Sequence, residues 1–197
     1  PVRVPHDPSL PVAREGMHRL PPRAARGAAW GEMQRYLENK FASEVPAGPD
    51  GGPPADLHVL PIILAPRKLP DGKLGVRMCL HPLHLNGDKA DADYLGKLPN
   101  IPELVSGLHK AILFAQLDLA DAFHNLKLAP ESQNLFGCVL EHPDTLQLHY
   151  FKMVSVSFGW RTAPLIYQQR LETALAAVQQ RAVGVVAKNY LDDTTVA

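Results

Sequence analysis

Apolar residues recur with a helical period at two places in the chain. The first pattern places apolar side chains three or four positions apart, at Trp30, Met33, Leu37 and Phe41. This spacing predicts an amphipathic helix over about 30–41. A second pattern, with Pro164 near its start, predicts a helix over about 162–181, because proline is tolerated in the first turn of a helix.

Elsewhere the pattern changes to strand-length apolar runs separated by turn residues. These runs cover 57–65, 74–80, 112–117, 126–128, 135–140, 146–153 and 184–190. The turn signal Pro70-Asp71-Gly72 predicts that the first two runs form a hairpin. A short amphipathic helix is predicted from Ile101 to Leu108. Because hairpins dominate and a regular βαβ alternation is absent, the sequence predicts an α+β fold.

Composition narrows the class of protein. The chain has 197 residues and is 46% hydrophobic, so it can form a packed core. Twenty basic residues balance twenty acidic ones, so no global attraction to nucleic acid or membrane is evident. Two cysteines, Cys79 and Cys138, cannot form a disulfide framework, which favours the cytosol. Residues 43–56 are rich in proline and glycine and predict a linker.

Three carboxylates are candidates for chemistry. Asp118 ends an apolar run that is predicted to be a buried strand, and Asp192 and Asp193 occupy a predicted hairpin tip. If the two strands are neighbours, all three acids meet at one sheet edge, where oxygen ligands suit Mg²⁺. The alternative is that aspartate is common in turns and that Asp118 caps a short helical turn. Spacing alone leaves both interpretations open.

The residues around these acids carry a resemblance. Residues 116–131 (QLDLADAFHNLKLAPE), residues 157–169 (SFGWRTAPLIYQQ) and Tyr190-Leu191-Asp192-Asp193 resemble, in order and spacing, three motifs of retroelement reverse transcriptases. Upstream stretches are similar to the family as well: Arg77-Met78-Cys79, Leu85-Asn86 and 98–104. The resemblance covers about 57–197 and is closest to long-terminal-repeat retrotransposons of the gypsy type. Residues 1–56 match only loosely.

The resemblance implies the fold of a right-hand polymerase. We expect fingers and a partial palm, with an antiparallel palm sheet backed by helices and with the thumb absent. The expected divisions are an N-terminal lead-in with its helix and linker at 1–56, fingers at 57–92 and 126–158, and palm at 93–125 and 159–197.

The resemblance also implies an activity, that of an RNA-directed DNA polymerase. Asp118, Asp192 and Asp193 would be catalytic and hold two Mg²⁺ ions, with Mn²⁺ as a substitute. The backbone carbonyl of Leu119 would help to hold the metal that is bound to the triphosphate. The residues implied to bind the nucleotide are Lys68, Arg77, Phe123, Phe158 and Gly159, and those implied to contact template or primer are Tyr190 and Gln168.

Several of these residues have simpler interpretations that stay open. The ring of Phe123 would exclude the 2′-hydroxyl of a ribonucleotide, yet plain core packing also accounts for it. Arg77 suits phosphate because its planar fork donates hydrogen bonds in pairs. Arg77 and Lys68 could equally be solvated strand residues.

The implied partners are an RNA or DNA template with its primer, deoxynucleoside triphosphates, and the thumb and ribonuclease H domains of a polyprotein. No membrane association is expected, and the implied location is a cytoplasmic virus-like particle, with the nucleus as a second site.

Two departures from the family pattern support a different hypothesis. The segment Leu80-His81-Pro82-Leu83-His84 lacks the Asp and Arg that the family has there. We expect His81 and His84 to be surface or loop residues rather than metal ligands. The chain also ends four residues after Asp193, which predicts a truncated domain. The alternative to an enzyme is therefore a catalytically inactive retroelement relic that at most binds nucleic acid or a protein partner.

Overall fold

The computed structural model of the chain describes residues 1–68, 72, 74–87, 98–108, 111–182 and 184–196. Its α-helices are α1 (Arg26–Glu38), α2 (Ile101–Val105), α3 (Pro130–Gln133) and α4 (Ala163–Gln179). Its strands are β1 (Ala42–Val45), β2 (Ile62–Lys68), β3 (Leu74–Leu80), β4 (Ala115–Asp118), β5 (Gly137–Glu141), β6 (Leu148–Met153), β7 (Ala187–Tyr190) and β8 (Asp193–Val196). Short 3-10 helices include Glu15–His18 and Ala122–Asn125.

The larger part of the molecule, here called the body, is built around an antiparallel sheet in the order β1-β6-β5. Helix α1 packs against this sheet and against the β2–β3 hairpin. The main core joins side chains from α1, β3, β6 and the segment before α4, such as Met33, Met78, Phe151 and Trp160. Because each of these elements is apolar on one face, the body buries them against one another.

A second antiparallel sheet has the order β4-β8-β7 and carries the three candidate acids, so it is called the acidic sheet. Its central strand, β8, pairs with β4 on one side and with β7 on the other. Helix α4 packs on β7. The sheet is lightly covered, since all four residues of β4 are exposed.

The α+β prediction is confirmed by this mixture of helices and antiparallel strands. The helix predicted over about 30–41 begins earlier and ends at Glu38, and the one predicted over about 162–181 is observed as α4. The division into fingers and palm stays a prediction. The boundary expected at residues 92 and 93 and the turn residues Pro70 and Asp71 lie outside the described residues.

Four local predictions are wrong. The first strand of the hairpin begins at Ile62, because the chain before it is held by single bridges and side-chain contacts. Residues 126–128 make only isolated bridges. Residues 43–45, predicted as linker, belong to β1, because they pair with β6. The strand that ends at Asp118 is exposed, not buried. In the described residues, no helix is long and apolar enough to cross a membrane.

Candidate active site

Pairing within the acidic sheet brings the three candidate acids together. Asp118 is directly opposite Asp193 across the β4–β8 pair, and residues so paired present their side chains on the same face. Asp192 lies in the adjoining turn, where its carbonyl accepts a hydrogen bond of 3.1 Å from the backbone N–H of Leu119. Residues that are more than seventy positions apart in sequence therefore meet at one end of the sheet.

A cleft of about 370 Å³ opens where the acidic sheet meets the body. Its lining contains Asp118, Leu119 and Asp192 on the side of the acidic sheet. The body contributes side chains from α1, from the β2–β3 hairpin and from two loops: Glu32, Arg35, Tyr36, Arg67, Arg77, Asp121, Phe123 and Phe158. Carboxylates therefore face arginines across a space of the size that small-molecule ligands occupy.

The donor atoms of this cleft fit a hard divalent cation. Asp118 and Asp192 both line it, and carboxylate oxygens are the ligands that Mg²⁺ prefers. In the described part of the chain, no three His, Cys, Asp or Glu side chains already form a group that could hold a metal ion. Magnesium does not require such a cage, because it is usually held by one or two carboxylates together with water and substrate phosphates.

An aromatic floor lies beside the carboxylates. Phe123 meets the rings of Phe158 and Tyr167 edge to face, at centroid distances of 5.0 and 5.5 Å. Burial raises the pKa of Tyr167, and the nearby charges of Asp192 and Asp118 raise it further. The carboxylates of Asp118 and Asp192 are therefore both close enough to the Tyr167 hydroxyl to influence its pKa. Phe123 is half-buried, so it belongs to the core and also presents a face to the cleft.

The β2–β3 hairpin supplies the positive charge. Arg77 is exposed and lines the cleft, and its guanidinium carbon lies 4.7 Å from the centre of the Phe158 ring. Lys68 is exposed at the end of β2 and does not line this cleft, whereas its neighbour Arg67 does. Side chains alternate along a strand, so only one of the two adjacent cations can face inward. The sequence analysis missed Arg67.

Comparison with known proteins decides the family. The family model for reverse transcriptase (RNA-dependent DNA polymerase) matches residues 82–197, which is more than half of the chain. The chain belongs to the reverse transcriptase family. The match begins after β3, so α1 and the hairpin that bears Arg67 and Arg77 lie before the reverse transcriptase region that the model matches.

Three relatives of the chain are Gag-Pol polyproteins of retroviruses. The chain is 32% identical to the Gag-Pol polyprotein of Koala retrovirus, 32% identical to that of Woolly monkey sarcoma virus and 31% identical to that of Gibbon ape leukemia virus, each over 101 residues. The aligned segment is 51% of this chain but only 6% of each polyprotein.

Gly159 allows the segment after Phe158 to approach β3 closely. Its φ is +104°, and a Cβ atom placed there would lie 1.7 Å from the carbonyl oxygen of Leu80. The side chain of Asn86 braces the same segment, donating to the carbonyl of Gly159 at 2.9 Å and accepting from the N–H of Arg161 at 2.9 Å. The Leu85-Asn86 pair and the Phe158-Gly159 pair therefore form one structural unit.

Gln168 holds the turn that carries the paired acids. Its amide donates to the carbonyl of Asn189 at 3.0 Å and accepts from the N–H of Leu191 at 2.9 Å. Leu191 has a φ of +52°, an uncommon conformation that these contacts support. Gln168 is buried, so its observed contacts are within the chain, and its role toward template or primer stays a prediction. Tyr190 is exposed beside the turn.

His84 lies in a loop, as the sequence analysis expected. Both of its ring nitrogens are nevertheless buried, and neither has a hydrogen-bond partner among the described residues. The ring stacks on His58 at a centroid distance of 4.5 Å, and His6 meets both rings at an angle. Burial lowers the pKa of His84 to about 4, and the neighbouring histidines contribute to this shift. His81 is half-buried beside it.

Proposed function

We propose that this chain provides the fingers and part of the palm of an RNA-directed DNA polymerase from a retroelement polyprotein. It would add deoxynucleotides to the 3′-hydroxyl of a primer in the order set by a template. The observation that carries this proposal is the cleft at the edge of the acidic sheet. It gathers carboxylates and arginines from α1, the hairpin, β4 and the β7–β8 turn, and aromatic rings from the segments at Phe123 and Phe158.

The chain's own residues divide the work of nucleotide binding. Arg77 and Arg67 line the cleft and would bind triphosphate oxygens, because guanidinium groups bind phosphate through paired hydrogen bonds. Phe123 would lie under the sugar of the incoming nucleotide. Its ring offers no polar atom to a 2′-hydroxyl and fills the space which that group needs.

The acids would hold the metal. Reverse transcriptases as a family use divalent metal ions, and we propose that Asp118, Asp192 and Asp193 hold two Mg²⁺ ions with help from the carbonyl of Leu119. Bound magnesium supplies charge neutralisation for the phosphates and a lower pKa for the attacking hydroxyl.

Several further assignments belong to this proposal. The template would be selected by base pairing, so the protein needs only contacts to backbone and shape. We place the parent among gypsy-type long-terminal-repeat elements because of the Arg77-Met78-Cys79 and Tyr190-Leu191-Asp192-Asp193 motifs. Thumb and ribonuclease H domains would be its partners in the polyprotein, and a cytoplasmic particle its location. Sequencing the flanking DNA for long terminal repeats tests the lineage.

Primer extension on an RNA template with Mg²⁺ tests the function. We expect this chain, or a version that is extended through a thumb, to lengthen the primer. Asp118→Asn and Asp192→Asn should lower the rate by about 10³-fold, because they remove charge where the reaction needs several kcal/mol of stabilisation.

Asp144→Asn is the matched control, since it makes the same change in the exposed β5–β6 turn. It should leave extension unchanged. If neither folded version extends a primer, the inactive relic is the better interpretation. If the Asp118 and Asp192 variants extend as fast as the unaltered chain, the assignment of the site is wrong.

A further inference from the structure

Two charged side chains of helix α1, Glu32 and Arg35, line the cleft of the candidate active site. Glu32 is buried and accepts hydrogen bonds from Arg35, at 2.9 and 3.1 Å, and from Arg67 of β2, at 3.2 Å. Both Glu32 and Arg35 line the cleft. Neither residue lies within the part of the chain that the family model matches, and neither was found from the sequence motifs.

Arg35 also reaches across the cleft floor to the turn that follows Asp118. Its guanidinium donates to the two carboxylate oxygens of Asp121, at 2.9 and 3.1 Å. Such a paired contact fixes direction as well as distance. Arg35 therefore connects α1 to the turn at residues 119–122, of which every residue lines the cleft.

The turn needs such a restraint. Asp121 has a φ of +51°, a left-handed conformation that costs free energy and persists only where contacts enforce it. Its backbone carbonyl accepts the N–H of His124 at 2.8 Å, which starts the 3-10 helix bearing Phe123. The direction of the Asp121 side chain is thus coupled to both the turn and the aromatic floor.

We propose that Arg35 is a positioning residue of the nucleotide cleft: through Asp121 it holds the turn at 119–122 in the conformation that receives the triphosphate. The inference rests on the proposed function for the identity of the ligand. Burial alone would raise the pKa of Asp121, but its hydrogen bonds with Arg35, together with the charges of Arg35, His124 and Arg67, outweigh burial, and the pKa lies below its usual range.

A double-mutant cycle with Arg35→Gln and Asp121→Asn tests the proposal in the full chain. Asparagine tolerates left-handed backbone as well as aspartate does, so Asp121→Asn isolates the ion pair. We expect each change to raise the KM for a deoxynucleoside triphosphate about tenfold with little change in kcat. Because both changes break the same Arg35–Asp121 contact, the KM effect in the double variant should be clearly smaller than the product of the two single effects.

Hydrogen exchange measures the turn without requiring activity. In Arg35→Gln, and in Asp121→Asn, which keeps the Arg35–Glu32 pair, exchange at 119–125 should quicken while β5 and β6 stay protected. Arg26→Gln is the control, because Arg26 lies on the same helix and its ion pair is with Glu141, away from the cleft. It should change neither exchange at 119–125 nor KM.

The outcomes separate this proposal from the function it rests on. If neither the chain nor its thumb-extended version extends a primer, the proposed function fails, while hydrogen exchange still decides whether Arg35 holds the turn. Unchanged exchange in both variants overturns the inference, and so do KM effects that simply multiply in the double variant. A loosened turn with non-additive KM effects supports it.

Discussion

The two three-stranded sheets of this protein are similar in size but very different in burial. In the body, β5 is buried at four of its five positions, whereas every residue of β4 in the acidic sheet is exposed. Large apolar side chains next to and within β4, such as Phe114 and Leu117, are more than half exposed. The body thus has its own core, and the acidic sheet adds little to it.

This difference explains how the candidate site is arranged. Asp118 and Asp192 stand on the open sheet, where solvent can reach them, and the arginines and phenylalanines that face them stand on the well-packed body. Hydrogen bonds fix the position of the turn that carries Asp192. The N–H of Leu119 donates to the carbonyl of Asp192, and the side chain of Gln168 accepts from the N–H of Leu191. The buried core that stabilises the fold therefore lies in the body, whereas Asp118 and Asp192 lie on the exposed acidic sheet.

Replacing one phenylalanine by alanine in each of the two regions should give the largest difference in the free energy of unfolding. Phe136→Ala removes a completely buried ring from the body and should lower the free energy of unfolding by about 4 kcal/mol. Phe114→Ala, beside β4, should change it by less than about 0.5 kcal/mol, because that ring is 61% exposed. Urea unfolding of both variants measures this. Equal losses would show that the two sheets share one core.

Gly159→Ala should have the next largest effect on stability, because Gly159 lies directly against the backbone of β3. The added Cβ meets the Leu80 carbonyl at a backbone conformation that alanine avoids, so the expected cost is about 3 kcal/mol or more. Gly51→Ala is the control: its φ is also positive, but no atom of the part of the chain that the structure describes lies within 4 Å of the new Cβ. It should cost only about 1–2 kcal/mol. If the two variants lose the same stability in thermal unfolding, the close approach of Gly159 to the Leu80 carbonyl is contradicted.

Acid should weaken the body through its buried histidines. Burial lowers the pKa of His84 and of His124 from 6.5 to about 4. The unfolded state therefore binds protons first as the pH falls below 6.5, and stability is lost between that pH and 4. At pH 5 the loss is about 2 kcal/mol for each histidine.

His84→Leu distinguishes the contribution of His84 to this pH dependence from that of His124. The substitution loses no hydrogen bond, since the ring nitrogens of His84 have no partner among the described residues. The decrease in unfolding free energy from pH 7 to pH 5 should be about 2 kcal/mol smaller in this variant. An unaltered pH profile would mean that His84 is not held neutral in the fold.

Phe123→Val should have a modest effect on stability and a specific effect on nucleotide selection. The side chain is half-buried, so the cost should be about 1 kcal/mol. In an active chain the smaller side chain should admit ribonucleotides, which primer extension with ribonucleoside triphosphates detects. If discrimination between the two sugars stays the same, Phe123 packs the floor of the cleft but does not select the sugar.

The sequence could predict those parts of the site that local motifs carry. Asp118, Phe123 and Asp192 lie within short motifs, and strand pairing then brings them together. Glu32 and Arg35 could not be found in this way, because on α1 they look like a solvated i, i+3 pair, and their partners Arg67 and Asp121 are distant in sequence.

Burial was harder to predict than secondary structure. The apolar run at 112–117 indicates a strand that can be buried, but a pattern cannot show whether a partner covers it; Ile112 is 94% exposed. In the same way, the proline-rich composition of 43–56 hides the edge strand at Ala42–Val45, because pairing with β6 is a long-range contact.

Paramagnetic broadening by Mn²⁺ in the presence of a deoxynucleoside triphosphate tests the central claim most directly, because it locates the metal without requiring turnover. In amide NMR spectra of the full chain, we predict broadening centred on 118–121 and 191–193, with a weaker effect at Arg77 and none over most of β5 and β6. Asp118→Asn should weaken it. Broadening centred elsewhere, or equal broadening in Asp118→Asn, would contradict the account.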